Sequence, residues 1–232
     1  MKKTLVFIIL FLTLNYLSAG KLEFKQRLIQ SATEKAQNGD PNAQFTLGEM
    51  YYLGFLGKKD YKKAIDWYEK AAKNGHIKAM FNLGYIYFTG KGAENDYSKA
   101  RYWFEQAAEN GDPKAQRYLG EIFYKGLGVA KDYKKAFYWY KKTADLGYPK
   151  AQYIVGQMYK RGLGVEKDLE KAKYYLIRSA SQSCSEAELE LGKMYLNGEG
   201  VEKSEEKALY YLKKALKDGK KEAKKYLEKI EE

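Results

Sequence analysis

Small and apolar residues return along this chain at a step of 36 residues. Gly48, Gly84, Gly120, Gly156 and Gly192 keep that step, and so do Ala43, Ala79, Ala115, Ala151, Ala187 and Ala223. Trp67, Trp103 and Trp139 hold a third column, continued by Tyr175 and Tyr211. Gly39, Gly75, Gly111, Gly147 and Gly219 hold a fourth, with Ser183 as its single exception. Columns this numerous in one register mark an internal repeat whose units bury their apolar faces by stacking on neighbours. Five full units follow, 40–75, 76–111, 112–147, 148–183 and 184–219. A half unit, 21–39, precedes them as a capping helix, and 220–232 closes them as another.

Within each unit the spacing predicts two helices. Asp40-Pro41 opens helix A, with Asp as N-cap and proline at the first helical position, where its missing N–H costs nothing. All three prolines, Pro41, Pro113 and Pro149, stand in this one column. Ala43, Leu47, Met50 and Tyr51 follow helical spacing on the inward side. Gly54 ends helix A after about Leu53, as Gly90, Gly126, Gly162 and Gly198 do later. Helix B starts at Asp60, Asp96, Asp132, Asp168 or Ser204 and ends at an Asn-Gly or Leu-Gly C-cap. A glycine inside a helix costs about 1 kcal/mol relative to Ala, so Gly48 and its equivalents imply a close approach by a ring or another backbone. Trp67-Tyr68, Tyr102-Trp103-Phe104, Trp139-Tyr140 and Tyr174-Tyr175 are the large partners expected there. The fold class is all-α, a solenoid of antiparallel helix pairs.

The motif Ala43…Leu47-Gly48…Tyr51…Gly54…Asp60…Lys63-Ala64…Trp67-Tyr68…Lys70-Ala71-Ala72…Gly75 closely resembles the Sel-one-like repeat, a variant of the tetratricopeptide repeat. The resemblance covers 21–232 and implies a right-handed superhelix whose concave surface is lined by helix A. Secreted cysteine-rich bacterial members of the family carry a cysteine pair in each repeat and are described as β-lactamases or penicillin-binding proteins. The resemblance therefore carries a β-lactam-binding or β-lactam-hydrolysing enzyme as the alternative function. This chain has one cysteine, Cys184, and lacks those pairs. Most proteins of the wider class hold peptides or proteins on the concave face.

Residues 1–20 carry the three parts of a secretory signal peptide. Lys2 and Lys3 precede an apolar run, Leu5 to Leu17, broken only by Thr13 and Asn15, and Ser18-Ala19-Gly20 offers a small-residue cleavage site. That run is shorter than the roughly 20 residues a bilayer span requires. Cleavage after Gly20, a secreted or periplasmic location and no stable membrane anchor are the expectations. Hydrophobic residues make up 45% of the chain, which excludes disorder, and a single His, His76, with a single Cys excludes a disulfide framework and a Cys/His zinc site. No cofactor and no metal site is expected. Formal charge is +12; units 112–147 and 148–183 carry most of what remains after cleavage. The lysines are spread over both helices, so nucleic acid is not the expected partner, whereas an anionic envelope component suits the basic units.

Short motifs yield to structural readings. The Gly-x-Gly loops follow helices rather than strands, so they are turns and not phosphate cradles. Ser204-Glu205-Glu206-Lys207 has the spacing of a serine β-lactamase motif, but Ser204 fills the helix-B cap column and the companion motifs are missing. His76 reads as a solvated turn residue, and Cys184 as a small, semi-buried one. The informative positions are those that vary where the frame is constant, the sixth, tenth and thirteenth of helix A. They read Phe45/Glu49/Tyr52, Phe81/Tyr85/Phe88, Arg117/Glu121/Tyr124, Tyr153/Gln157/Lys160 and Leu189/Lys193/Leu196. Aromatic and Arg side chains anchor binding surfaces. Phe45, Tyr52, Phe81, Tyr85, Phe88, Arg117, Tyr124 and Lys160 are therefore the candidate ligand-binding residues, and no catalytic residue is assigned. The expectation is a monomeric exported scaffold that binds a protein, peptide or envelope ligand.

Overall fold

Most helices among the described residues start at a side chain that stands in for a missing backbone partner, the two that follow Tyr148 and Cys184 excepted. The computed structural model describes residues 29–231 together with Glu23, Gln26 and Arg27. The proposed signal segment 1–20 and its cleavage site lie outside the described residues. Every regular element among the described residues is a helix. Residues up to Glu94 form one compact unit and residues from Asn95 another. Unit 1 holds α1 (29–37), α2 (Pro41–Leu53), α3 (Tyr61–Lys73) and α4 (Ile77–Thr89). Unit 2 holds α5 (Tyr97–Glu109), α6 (Pro113–Lys125), α7 (Tyr133–Asp145) and α8 (Pro149–Arg161). It continues with α9 (Leu169–Ala180), α10 (Ser185–Asn197), α11 (Glu205–Lys217) and α12 (Ala223–Glu231). Within each unit successive helices pack on one another, the arrangement from which solenoids are built.

The expected caps are present. Asp60, Asp132 and Ser204 accept the N–H of Lys63, Lys135 and Lys207 at 3.0, 2.9 and 3.3 Å, while Asp40 and Asp112 accept from Ala43 and Ala115 at 2.8 and 2.7 Å. The backbone donors hold the Asp60, Asp96 and Asp168 carboxyls below the ordinary range. Gly54, Gly126 and their equivalents close the A helices in the left-handed conformation, at φ 78° and 72° in these two cases. The Ser183 exception carries its own strain, because Ser183 takes φ 59° where its column otherwise has glycine.

The glycine column has a specific partner, and it is not the tryptophan. A Cβ built on Gly48 would lie 2.5 Å from Tyr68 Cδ1, and one on Gly120 would lie 2.8 Å from the Tyr140 ring. In later units Leu176 and Leu212 occupy the place of the ring, 2.9 and 2.6 Å from the equivalent atoms at Gly156 and Gly192. The column of Tyr68, Phe104, Tyr140, Leu176 and Leu212 is buried, whereas Trp67, Trp103 and Trp139 are half-buried. Helical geometry explains the difference. Adjacent residues diverge by about 100°, so only one of a Trp-Tyr pair can face the A helix.

The A helices also share a buried polar column. Gln44, Gln116 and Gln152 each donate a side-chain N–H to a carbonyl of the preceding helix, at Ala36, Ala108 and Ala144. Asn74 and Gln182 donate back to the Gln44 and Gln152 amide oxygens at 2.9 Å. Leu146 stands at the corresponding place for Gln116, whose buried Oε1 has no hydrogen bond. Glu188 continues the column, fully buried, with Lys214 Nζ 2.8 Å away.

Candidate functional site

The variable stripe of helix A forms two clefts of the same construction, one in each unit. In unit 1, α2 contributes Glu49, Tyr52 and Leu53, α3 contributes Tyr68, and α4 contributes Phe81, Asn82, Tyr85 and Ile86, around about 240 Å³. Tyr52 and Tyr85 are half-buried and both line the cleft. The Phe81 and Tyr85 rings lie near-parallel, with centroids 6.2 Å apart, and Tyr52 meets Tyr61 edge-on at 5.3 Å. Tyr68, 1% exposed, reaches the cleft with a hydroxyl that makes no hydrogen bond. Burial raises the Tyr68 phenol pKa well above the ordinary value and the Glu49 charge adds to that, while the Asn82 side chain opposes it.

The unit 2 cleft encloses about 310 Å³ between α6, α7 and α8, where Glu121, Tyr124, Tyr140 and Tyr153 repeat Glu49, Tyr52, Tyr68 and Phe81 two periods later. Its chemistry differs. Arg117 and Lys125, from the same helix, both ion-pair with Glu121. The Arg117 guanidinium also lies 4.2 Å over the Tyr118 ring. Gln157 replaces Tyr85, and its buried amide has no hydrogen bond.

The eight candidate residues are thus distributed rather than assembled in one place. Tyr52, Phe81 and Tyr85 meet in the unit 1 cleft, and Arg117 with Tyr124 in the unit 2 cleft. Phe45 stacks on His76 with ring centroids 4.3 Å apart, at a separate hollow by the α3–α4 turn. Phe88 is half-buried and lines neither cleft. Lys160 is held by Glu190 and Glu199 at 2.6 and 2.7 Å, tying α8 to the helix pair that follows. Other lysines of unit 2 are similarly engaged, Lys150 with Glu186 and Lys193 with Glu222, each at 2.8 Å. Much of the local positive charge is therefore spent inside the fold.

His76 is more than a solvated turn residue: its Nδ1 accepts the Ala79 N–H at 3.2 Å and caps α4. Cys184 is buried at the start of α10 with its thiol 3.4 Å from Glu186 Oε2. Ser204 Oγ is engaged as the α11 cap, and Lys207 Nζ lies over the Tyr195 ring at 5.3 Å. No cluster of three His, Cys, Asp or Glu side chains suited to a metal ion occurs among the described residues. Nor is any helix among them long and apolar enough to cross a membrane.

The Sel1 repeat profile matches residues 41–76, 77–112, 113–148, 149–184 and 185–220. A solved structure of a Sel1 repeat protein from Oxalobacter formigenes is 39% identical at TM-score 0.70, covering 83% of this chain and 78% of that one. A protective antigen present in uropathogenic Escherichia coli strains, displaying an SLR fold, is 32% identical at TM-score 0.79. That match covers 84% of this chain but spans only 42% of the antigen's length. No curated protein matches the chain.

Proposed function

This chain belongs to the Sel1 repeat family, and on that premise we propose that it is an exported scaffold that grips a protein or peptide partner through a side chain seated in the unit 1 cleft. Sel1 repeat proteins generally bind proteins, and the observation that carries the specific reading is the wall of Tyr52, Phe81 and Tyr85 around that cleft. Rigid, half-buried rings offer apolar area at little entropic cost, which is why such residues serve as anchors. The cleft volume of about 240 Å³ is below the range of small-molecule pockets, roughly 300–1,000 Å³, and suits one side chain of a larger partner. Export rests on the charged, apolar and small-residue segments of residues 1–20.

A photocrosslinking amino acid in place of Tyr85 tests the reading, with the same group at exposed Tyr138 as control. The expected result is a discrete partner band at position 85 that Phe81→Ala abolishes while helicity is unchanged. Identical crosslinks at both positions, or bands indifferent to Phe81→Ala, would remove the assignment. Export is checked by the mass of the protein recovered outside the cytoplasm, which should begin at Lys21; full-length protein confined to the cytoplasm would refute it.

A further inference from the structure

The two clefts share a plan but differ in one charge balance. In unit 2 the carboxylate of Glu121 is neutralised from within its own helix by Arg117 one turn before and Lys125 one turn after. In unit 1 the equivalent flanking positions are Phe45 and Leu53, and Glu49 has neither hydrogen bond nor ion pair among the described residues. The Tyr68 hydroxyl beside it, buried and with the Asn82 side chain close enough to act on it, is a second polar group facing the same space. Lys91 lies 5.6 Å from the Tyr52 ring centroid and forms no ion pair with Glu49. A carboxylate walled by aromatic faces attracts a cation twice over, by direct charge and by the ring quadrupoles.

We propose that the unit 1 cleft receives an arginine side chain of the partner, whose guanidinium takes the place that Arg117 fills internally in unit 2; this rests on the reading of the cleft as the partner-binding site. A guanidinium fits the acceptors better than an ammonium. Its planar fork can donate to Glu49 in two parallel bonds and still present N–H groups to the Tyr68 oxygen and the Asn82 amide oxygen. Its flat face can lie on Phe81 or Tyr85, as that of Arg117 lies 4.2 Å over Tyr118. The site therefore selects a basic peptide segment.

The test uses acetyl-Gly-Gly-Arg-Gly-Gly-amide and its citrulline counterpart, which keeps the planar shape but replaces one donating NH2 with an accepting carbonyl oxygen and lacks the charge. Each is titrated into the protein while the ring resonances of Tyr52, Phe81 and Tyr85 are followed. The arginine peptide should bind at least ten times more tightly than the citrulline peptide. Glu49→Gln should abolish that ratio, and Glu121→Gln should leave it intact. Leu53→Lys supplies an internal cation at a position 65% exposed, hence tolerant of change, and should also abolish the ratio. Equal affinity for both peptides, or a ratio unaffected by Glu49→Gln, overturns the arginine assignment. The photocrosslinking result at position 85 is independent of charge, so a neutral anchor in the same cleft would fail this test and still pass that one. No shift of the three rings by either peptide at millimolar concentration also overturns the proposal.

Discussion

His76 shows how much one residue can carry in a repeat frame. Asp40 and Asp112 occupy its column, and as an N-cap it substitutes a neutral ring nitrogen for their carboxylates. Burial, and then the neighbouring Lys78, hold its pKa below the ordinary 6.5. The folded chain accordingly takes up this proton less readily than the unfolded chain, so stability is complete above about pH 7 and declines as pH falls through 6.5 and below. His76→Asp retains a cap without that titration. Denaturant titrations at pH 7.5 and 5.5 should show a smaller stability difference in the variant, by up to the roughly 1 kcal/mol value of a cap. Leu146 makes the complementary case. At 62% exposed it leaves the Gln116 oxygen without the amide donor that Asn74 and Gln182 supply elsewhere. Leu146→Asn should raise stability by about 1 kcal/mol, read as a higher denaturation midpoint; an unchanged midpoint would mean that the geometry at Gln116 does not admit the bond.

Between elements, the polar column replaces apolar packing with matched donors and acceptors, and Glu188 is its most demanding member. It is fully buried in α10, and Lys214 of α11 ion-pairs with it while donating to the Ala180 carbonyl at 2.9 Å. The contact with Glu188 raises the Lys214 pKa, which favours the charged ammonium beside that carboxylate. Removing one partner of a buried pair strands the other, at about 3 kcal/mol or more. Lys214→Met should cost that much in equilibrium unfolding, and adding Glu188→Gln, which restores the residue type of Gln44 and Gln152, should recover most of it. A double variant no more stable than the single would show that Lys214 acts through packing of its stem and not through its charge.

At the scale of a whole unit, neighbour-to-neighbour packing sets how a perturbation spreads. Ala223 and Leu227 of α12 are buried against Leu189, Ala208, Leu212 and Ala215, with Tyr226 and Ile230 alongside. In a linear array such a loss is felt by the adjacent pair first. A chain ending at Gly219 should show faster amide exchange in α10 and α11 while α6 and α7 keep their protection. Uniform acceleration across unit 2 would instead mean that unit 2 opens as one cooperative block.

Periodic features were legible from the residues because each is local or repeated. Prolines and Asp caps mark where helices start, left-handed glycines mark where they stop, and a 36-residue register repeated across columns leaves one way to stack the pairs. The close approach at Gly48 could be inferred for the same reason, since a helix keeps a costly glycine five times only where another group presses on it. That Tyr68 rather than Trp67 supplies the group depended on the rotation of α3 against α2, which adjacent positions in sequence do not distinguish. The stripe of helix A identified Tyr52, Phe81 and Tyr85, but not that Phe45 would turn to His76 or that Lys160 would be consumed by Glu190 and Glu199, because those pairings join residues 30 or more positions apart. The pairing of Glu121, by contrast, is legible, because Arg117 and Lys125 stand one helical turn to either side of it while Phe45 and Leu53 flank Glu49. What only the tertiary structure decided is which rings and which Tyr68 hydroxyl surround Glu49, since those side chains come from other helices and meet it only when the helices pack, and a linear sequence does not measure distance between elements.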